Sequence, residues 1–198
     1  MSKKYIIILA VALVVVALYF FFSGPNQQER MLEGVQVEDS SYSFSFNYPS
    51  GADGYELIES NTSDNFLQSY VLVDKTALAQ YQENGVETAP PTISAFVFQL
   101  PETDEDEGEE RPGRITRLQN WAQANAGLTS YEDIYGTPKV VEIDGVKVLE
   151  YSTDGVYQQS IFLASYHGFV YMFVGQYDRP TDFIKSDFEQ LMQTVRFY

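Results

Sequence analysis

The stretch "KVVEIDGVKVLEYSTDGVYQQSIFLASYHGFVYMFVGQY", residues 139–177, decides the fold. Three two-residue turn candidates divide it: Asp144-Gly145, Asp154-Gly155 and His167-Gly168. Each lies between runs of apolar and β-branched residues, the pattern of hairpin strands. Such turns need positive φ at their centres, which Gly, Asp and His tolerate better than most residues. Four consecutive antiparallel strands are therefore predicted. In the first hairpin, Ile143 faces Val146, Val141 faces Val148, Glu142 faces Lys147 and Lys139 faces Glu150. The two opposite-charge pairs, worth roughly 0.2–1 kcal/mol each, support this register, and a slip of one residue would turn the apolar set to the other face.

Working outward, "SYSFSFNYP" at residues 41–49 places Tyr42, Phe44, Phe46 and Tyr48 on one side at period two. A half-buried strand results, ended by Pro49, which has no N–H for a ladder. "YELIES", "SYVLVDK" and "TISAFVFQL" read as further strands, with a short helical turn around Ala77 to Tyr81. Two helices are legible. Residues 113–127 carry Ile115, Leu118, Trp121 and Ala122 on one stripe, with Gly127 as the C-terminal cap. Near the C-terminus, Ile184, Phe188, Leu191 and Met192 recur at helical spacing, with Thr181 or Asp182 able to cap the start. Val195 to Tyr198 then resume a strand that would lock the C-terminus into the sheet. The class is α+β: an antiparallel sheet of six to eight strands with a C-terminal meander and helices packed on its faces.

At the other end of the chain, Tyr5 to Phe22 is an uninterrupted run of 18 apolar or aromatic residues. As a helix it spans roughly 27 Å, close to the hydrocarbon thickness of a bilayer. Phe20 to Phe22 stand where a signal-peptide cleavage site would want small residues, so the run reads as an uncleaved anchor. Ala10, Ala12 and Ala17 within it make no GxxxG-type seam. Lys3 and Lys4 precede the run, and Glu29, Glu33, Glu38 and Asp39 against Arg30 follow it, which puts the N-terminus in the cytoplasm. The organisation expected is a cytoplasmic N-terminus at residues 1–4, a transmembrane anchor at 5–22, a linker at 23–34 and an extracytoplasmic domain at 35–198.

The formal net charge is -16, from 12 basic and 28 acidic residues. Without Lys3 and Lys4 the exported part carries about -18, which repels nucleic acid and anionic lipid and excludes both as primary partners. The chain has no cysteine, hence no disulfide, lipoprotein attachment or thiolate metal site.

Together, the aromatic strand ending in Tyr48-Pro49-Ser50, the helix carrying Trp121, the "EIDGVKVLEY" hairpin, the "GFVYMFVGQY" strand and the last helix through "FEQLMQTVRF" resemble the PsbP-like (Mog1/PsbP) family over residues 35–198. The resemblance implies an α-β-α sandwich. The family includes photosystem II extrinsic subunits, a Ran-binding protein and many bacterial proteins of unknown role. It implies a scaffold or binding domain and promises no enzyme chemistry. No partner-binding motif transfers residue by residue, and the anchor and the acidic run depart from the plant lumenal subunits.

Few residues suggest chemistry. His167 is the only histidine, and its place before Gly168 is explained by the turn. Asp104, Glu105, Asp106, Glu107, Glu109 and Glu110 gather six carboxylates without EF-hand spacing, a solvated loop with weak attraction for Ca²⁺. Paired carboxylates for glycoside hydrolysis have no recognisable spacing, no Gly-rich phosphate loop is present, and Asn61-Thr62-Ser63 is a bare glycosylation sequon. Of the 15 tyrosines, Tyr151, Tyr157, Tyr166, Tyr171 and Tyr177 spread across the meander and form a candidate binding face if they share a solvent-facing side. The leading expectation is a non-catalytic binding or scaffold domain for an envelope protein partner, with no cofactor. An envelope hydrolase using carboxylates and a cation-responsive module acting through the acidic loop are the alternatives.

Overall fold

The computed structural model describes residues 34–61, 66–84, 88–100 and 113–198. The expected anchor and linker (residues 1–33), the sequon positions 62 and 63, and the acidic run at 104–110 lie outside the described residues. Among the described residues no helix is long and apolar enough to cross a membrane.

In chain order the elements are β1 (Val35–Asp39), β2 (Phe44–Tyr48), β3 (Tyr55–Asn61), β4 (Gln68–Asp74), α1 (Lys75–Asn84), β5 (Thr92–Gln99), α2 (Arg114–Ala124) and α3 (Ala126–Thr129). A 3-10 turn (Tyr131–Asp133) follows, then β6 (Ile134–Ile143), β7 (Val146–Thr153), β8 (Gln158–Tyr166), β9 (Phe169–Tyr177), α4 (Phe183–Thr194) and β10 (Arg196–Phe197). Seven strands form one antiparallel sheet in the order β3-β4-β5-β9-β8-β7-β6. The other three form a small antiparallel sheet, β1-β2-β10.

The meander has the topology its sequence predicts, and the β6–β7 register matches in all four pairs. Asp144 and Gly145 (φ 51° and 75°) and His167 and Gly168 (φ 46° and 83°) adopt the double positive φ of a two-residue turn. Asp154-Gly155 does not. Neither residue has a positive φ, and a four-residue loop at 154–157 joins β7 to β8.

Both faces of the large sheet are covered, because its strands are apolar on alternate residues in both phases. On one face Leu118, Trp121 and Ala122 of α2 pack on Phe98, Leu149, Tyr151, Leu163 and Met172. Ile115, at the edge of that stripe, is only half-buried. On the other, α4 and the small sheet share the cover: Phe188 and Leu191 of α4, Phe44 and Phe46 of β2, over Tyr70, Leu72, Val97, Tyr171 and Phe173. Phe44 meets Tyr70, Tyr171 and Phe173 edge-on at centroid distances of 5.8, 5.4 and 6.2 Å, the arrangement ring quadrupoles favour.

Several local expectations need correction. The strand expected from Tyr42 begins only at Phe44, because the Asp39 carboxylate accepts the N–H groups of Ser41 and Tyr42 and shapes residues 40–43 into the β1–β2 turn, with Ser43 at φ 55°. The single sheet expected is two sheets, since β10 pairs with β2 rather than with the meander. Helix α2 ends at Asn125, whose side-chain N–H₂ donates to the Trp121 carbonyl at 2.8 Å, and Gly127 lies in α3 instead of capping. Asp182 stands at the N-terminal cap position of α4, yet its carboxylate turns back to accept the N–H groups of Asp178 and Arg179. The short turn near Ala77 is the full helix α1, capped by Asp74 through the Ala77 N–H at 2.8 Å.

Gly175 of β9 sets how closely α4 lies on the sheet. A β-carbon there would fall against the ring and β-carbon of Phe188, itself 0% exposed. Gly175→Ala is therefore expected to destabilise the domain by about 1–3 kcal/mol by overpacking. Gly155→Ala, at a loop glycine with ordinary φ and open surroundings, should stay within about 0.5 kcal/mol. Urea denaturation midpoints of the two variants check this, and equal midpoints would remove the packing argument.

Candidate functional site

The five tyrosines offered as a binding face, on the condition that they share a solvent-facing side, do not share one. Tyr151, Tyr171 and Tyr177 are 3%, 1% and 4% exposed, Tyr151 against α2 and the other two against the α4 layer. The physical reason is the double cover: period two distributes aromatics to both faces, and both are roofed. Their hydroxyls are engaged. The Tyr151 hydroxyl donates to the Thr129 carbonyl at 2.8 Å, that of Tyr171 to the Tyr42 carbonyl at 2.5 Å, and that of Tyr177 lies 3.1 Å from Ser160 Oγ. Tyr166 is half-buried, stacked on His167 and packed against Phe197.

Two further hydroxyls bind carboxylates between layers. The Tyr70 hydroxyl donates to Asp39 Oδ2 at 2.5 Å and the Tyr55 hydroxyl to Asp187 Oδ2 at 3.0 Å, Asp187 being 3% exposed. Burial, then the Asp39 hydrogen bond and charge, push the Tyr70 phenol well above its ordinary 10.0. Burial also raises Tyr151 and Tyr171 far above it.

Tyr157 borders the end of the sheet where the connecting segments gather. β7 ends at Thr153, β8 starts at Gln158, β9 ends at Tyr177 and β5 starts at Thr92, so the segments 88–91, 154–157 and 178–182 gather at one end of the sheet. The half-buried Tyr157 crosses that end, its hydroxyl donating to the Ala89 carbonyl at 2.6 Å. Val156, on the 154–157 segment, is 85% exposed, and Phe183, the first residue of α4 after the 178–182 segment, is 54% exposed. Val35 pairs with Tyr48, and the Pro49 carbonyl after it accepts the Tyr55 N–H at the start of β3. The chain therefore enters the domain at this same end.

Just inside lies a row of polar side chains on the α2 face. Thr153 opposes Gln159, Gln159 opposes Gln176, and Thr92 stands level with Gln176 on β5. Gln176 Oε1 accepts the N–H and hydroxyl of Thr92 at 3.3 and 3.1 Å, while Gln159 Oε1 accepts the Thr153 hydroxyl at 3.3 Å. The Thr92 N–H, which can only donate, fixes the direction of the Gln176 carboxamide, while the Thr153 hydroxyl anchors that of Gln159; neither N–H₂ group has a hydrogen bond among the described residues. Sequence reasoning missed this row. The available signal was Gln159 continuing the phase of Ile161 and Leu163: a polar residue ending an apolar stripe.

His167 sits in its hairpin turn, exposed. Among the described residues no three of His, Cys, Asp and Glu come together to hold a metal ion.

No protein-family model and no curated protein matches the chain. Solved structures do. The solution structure of cyanobacterial PsbP (CyanoP) from Synechocystis sp. PCC 6803 aligns with a TM-score of 0.52 at 15% identity, covering 83% of this chain and 92% of that one. A crystal structure from Bacteroides thetaiotaomicron aligns at 0.46 and 10% identity over 84% of this chain and 49% of its own length. The fold is PsbP-like, as the residues suggested.

The raised phenols have a pH consequence. A tyrosine whose folded value exceeds its unfolded 10.0 stabilises the fold fully below pH 10 and loses that contribution as pH rises toward the folded value. Urea midpoints should change little on this account between pH 8 and about 9.5 and fall above pH 10, with late-titrating phenols in the 295 nm absorbance. Tyr70→Phe, which also leaves Asp39 short of a donor, should weaken the alkaline fall. An unchanged alkaline profile would separate Tyr70 from it.

Proposed function

We propose that the chain is a single-pass membrane protein, held by residues 5–22 with residues 1–4 in the cytoplasm, whose extracytoplasmic domain is a non-catalytic binding or scaffold module for another envelope protein. The observation that carries this is the loop end of the sheet. Interior polar groups of the domain are spent on joining layers, as with Tyr55–Asp187 and Tyr70–Asp39. At the loop end Val156 and Phe183 are exposed, and the Gln176 carboxamide on the α2 face presents an N–H₂ group with no hydrogen bond among the described residues. Scattered exposed apolar residues are ordinary; here two large ones stand at the one end of the sheet where the loops gather, and that end is taken as the interaction surface.

The chain's own geometry adds a constraint. Val35 lies at the loop end, and the linker of residues 23–34 reaches at most about 40 Å when extended. A partner at this end would therefore lie close to the bilayer, which favours the exported part of a second membrane protein.

The test uses full-length protein in its native membrane. The protein is expected to resist alkaline carbonate extraction and to give a discrete crosslinked adduct with one envelope protein. In a V156D/F183D variant that keeps its urea midpoint, the adduct should fall about tenfold, equivalent to about 1.4 kcal/mol of binding. Release by carbonate would remove the anchor, and an adduct indifferent to the double substitution would remove the loop end as the binding surface.

A further inference from the structure

We infer that the loop end receives an extended, basic peptide segment of its partner, read by the carboxamides of Gln159 and Gln176. This rests on the binding reading above and gives that surface its chemistry. Three features each ask for a different part of the ligand, and one ligand class supplies all three.

The carboxamides come first. With Gln176 Oε1 held by the N–H and hydroxyl of Thr92, the group left for a ligand is an N–H donor, so the complementary ligand atom is an acceptor; Gln159, anchored on the Thr153 hydroxyl, stands opposite it. The two glutamines oppose each other on neighbouring strands of one face, where β-carbons stand about 4.5–5.5 Å apart. A peptide backbone offers carbonyl oxygens on that scale, and half-buried donors reward an acceptor more than fully hydrated ones do.

Charge comes second. Asp154 and Asp178 are exposed on the loops that border the row, against the single cation Arg179. Asp182 is engaged with the N–H groups of Asp178 and Arg179, and Lys185 is held over the Tyr177 ring and 3.8 Å from Glu189. With a whole-chain charge of -16, a ligand carrying Lys or Arg is drawn in and an anionic one repelled. Third, Val156 offers contact area to apolar side chains. A neutral oligosaccharide would meet the carboxamides and aspartates by hydrogen bonds and draw nothing from the negative charge, which a basic peptide uses.

The experiment displays full-length protein in zwitterionic nanodiscs to a library of random dodecapeptides. Survivors should be enriched in Lys or Arg together with apolar residues. They should bind a correctly folded Q159L/Q176L variant at least about tenfold more weakly, and lose affinity at about 0.5 M salt. In the wild-type protein they should shift the side-chain amide resonances of Gln159 and Gln176. Survivors without a basic bias, or with affinity unchanged in the double variant, would overturn the inference while leaving the binding module in place. Shifts of those resonances by maltohexaose with no peptide surviving would overturn it in favour of glycan. Absence of both peptide survivors and a crosslinked envelope partner would remove the binding reading itself.

Discussion

Phe188 resting on the bare backbone of Gly175 is the contact on which the rest of the structure depends. Any side chain at that point of β9 would hold α4 off the sheet. Because the helix lies close, three further ties fall into reach. Asp187, the residue before Phe188, meets the Tyr55 hydroxyl on β3. Thr194, at the helix end, accepts the N–H of Asn47 on β2 at 2.8 Å. The chain then turns directly into β10, which pairs with β2 and whose Phe197 N–H donates to the Asp144 carboxylate in the first hairpin turn at 2.9 Å. One helix position thus joins the large sheet, the small sheet and the meander.

Tyrosine supplies the second recurrent device. Its ring fills the core and its hydroxyl reaches a polar partner in a different layer, so apolar burial and a directed bond come from one side chain. Such a bond adds about 0.5–1.5 kcal/mol net, and removing one partner costs more because the other is left buried and unpaired. Tyr55, Tyr70, Tyr151 and Tyr171 each work this way. Of the five tyrosines set out as a candidate face, Tyr151 and Tyr171 serve to join layers in this way.

Local pattern carried far into this fold and stopped at tertiary pairing. The β6–β7 register was legible to the residue because charges and apolar phase agreed across a two-residue turn. The meander, α2 and α4 were legible from period two and helical spacing. The small sheet was not, since β10 contributes only two residues and its partner β2 lies about 150 positions earlier. Asp154-Gly155 misled because a turn dipeptide is compatible with loops of other lengths, and the loop length here follows from Gln158 pairing with Tyr177. The Gln159–Gln176 row needed three strands placed side by side before it existed at all.

The same placement gives the domain two unlike ends. At one, His167-Gly168 and Asp144-Gly145 close tight hairpins, and the C-terminal Tyr198 folds back on Ser43 and Phe44. At the other, three longer segments meet where the chain arrives from the expected anchor, with apolar side chains and oriented donors exposed. The binding role proposed above is placed at this second end. Hydrogen–deuterium exchange of the full-length protein in its native membrane, compared with the purified protein in nanodiscs, tests that assignment most directly. Slower exchange confined to residues 88–91, 154–160 and 176–182 is the result this account predicts. Slower exchange at the 144–145 and 167–168 turns, with the loop end unchanged, would contradict it.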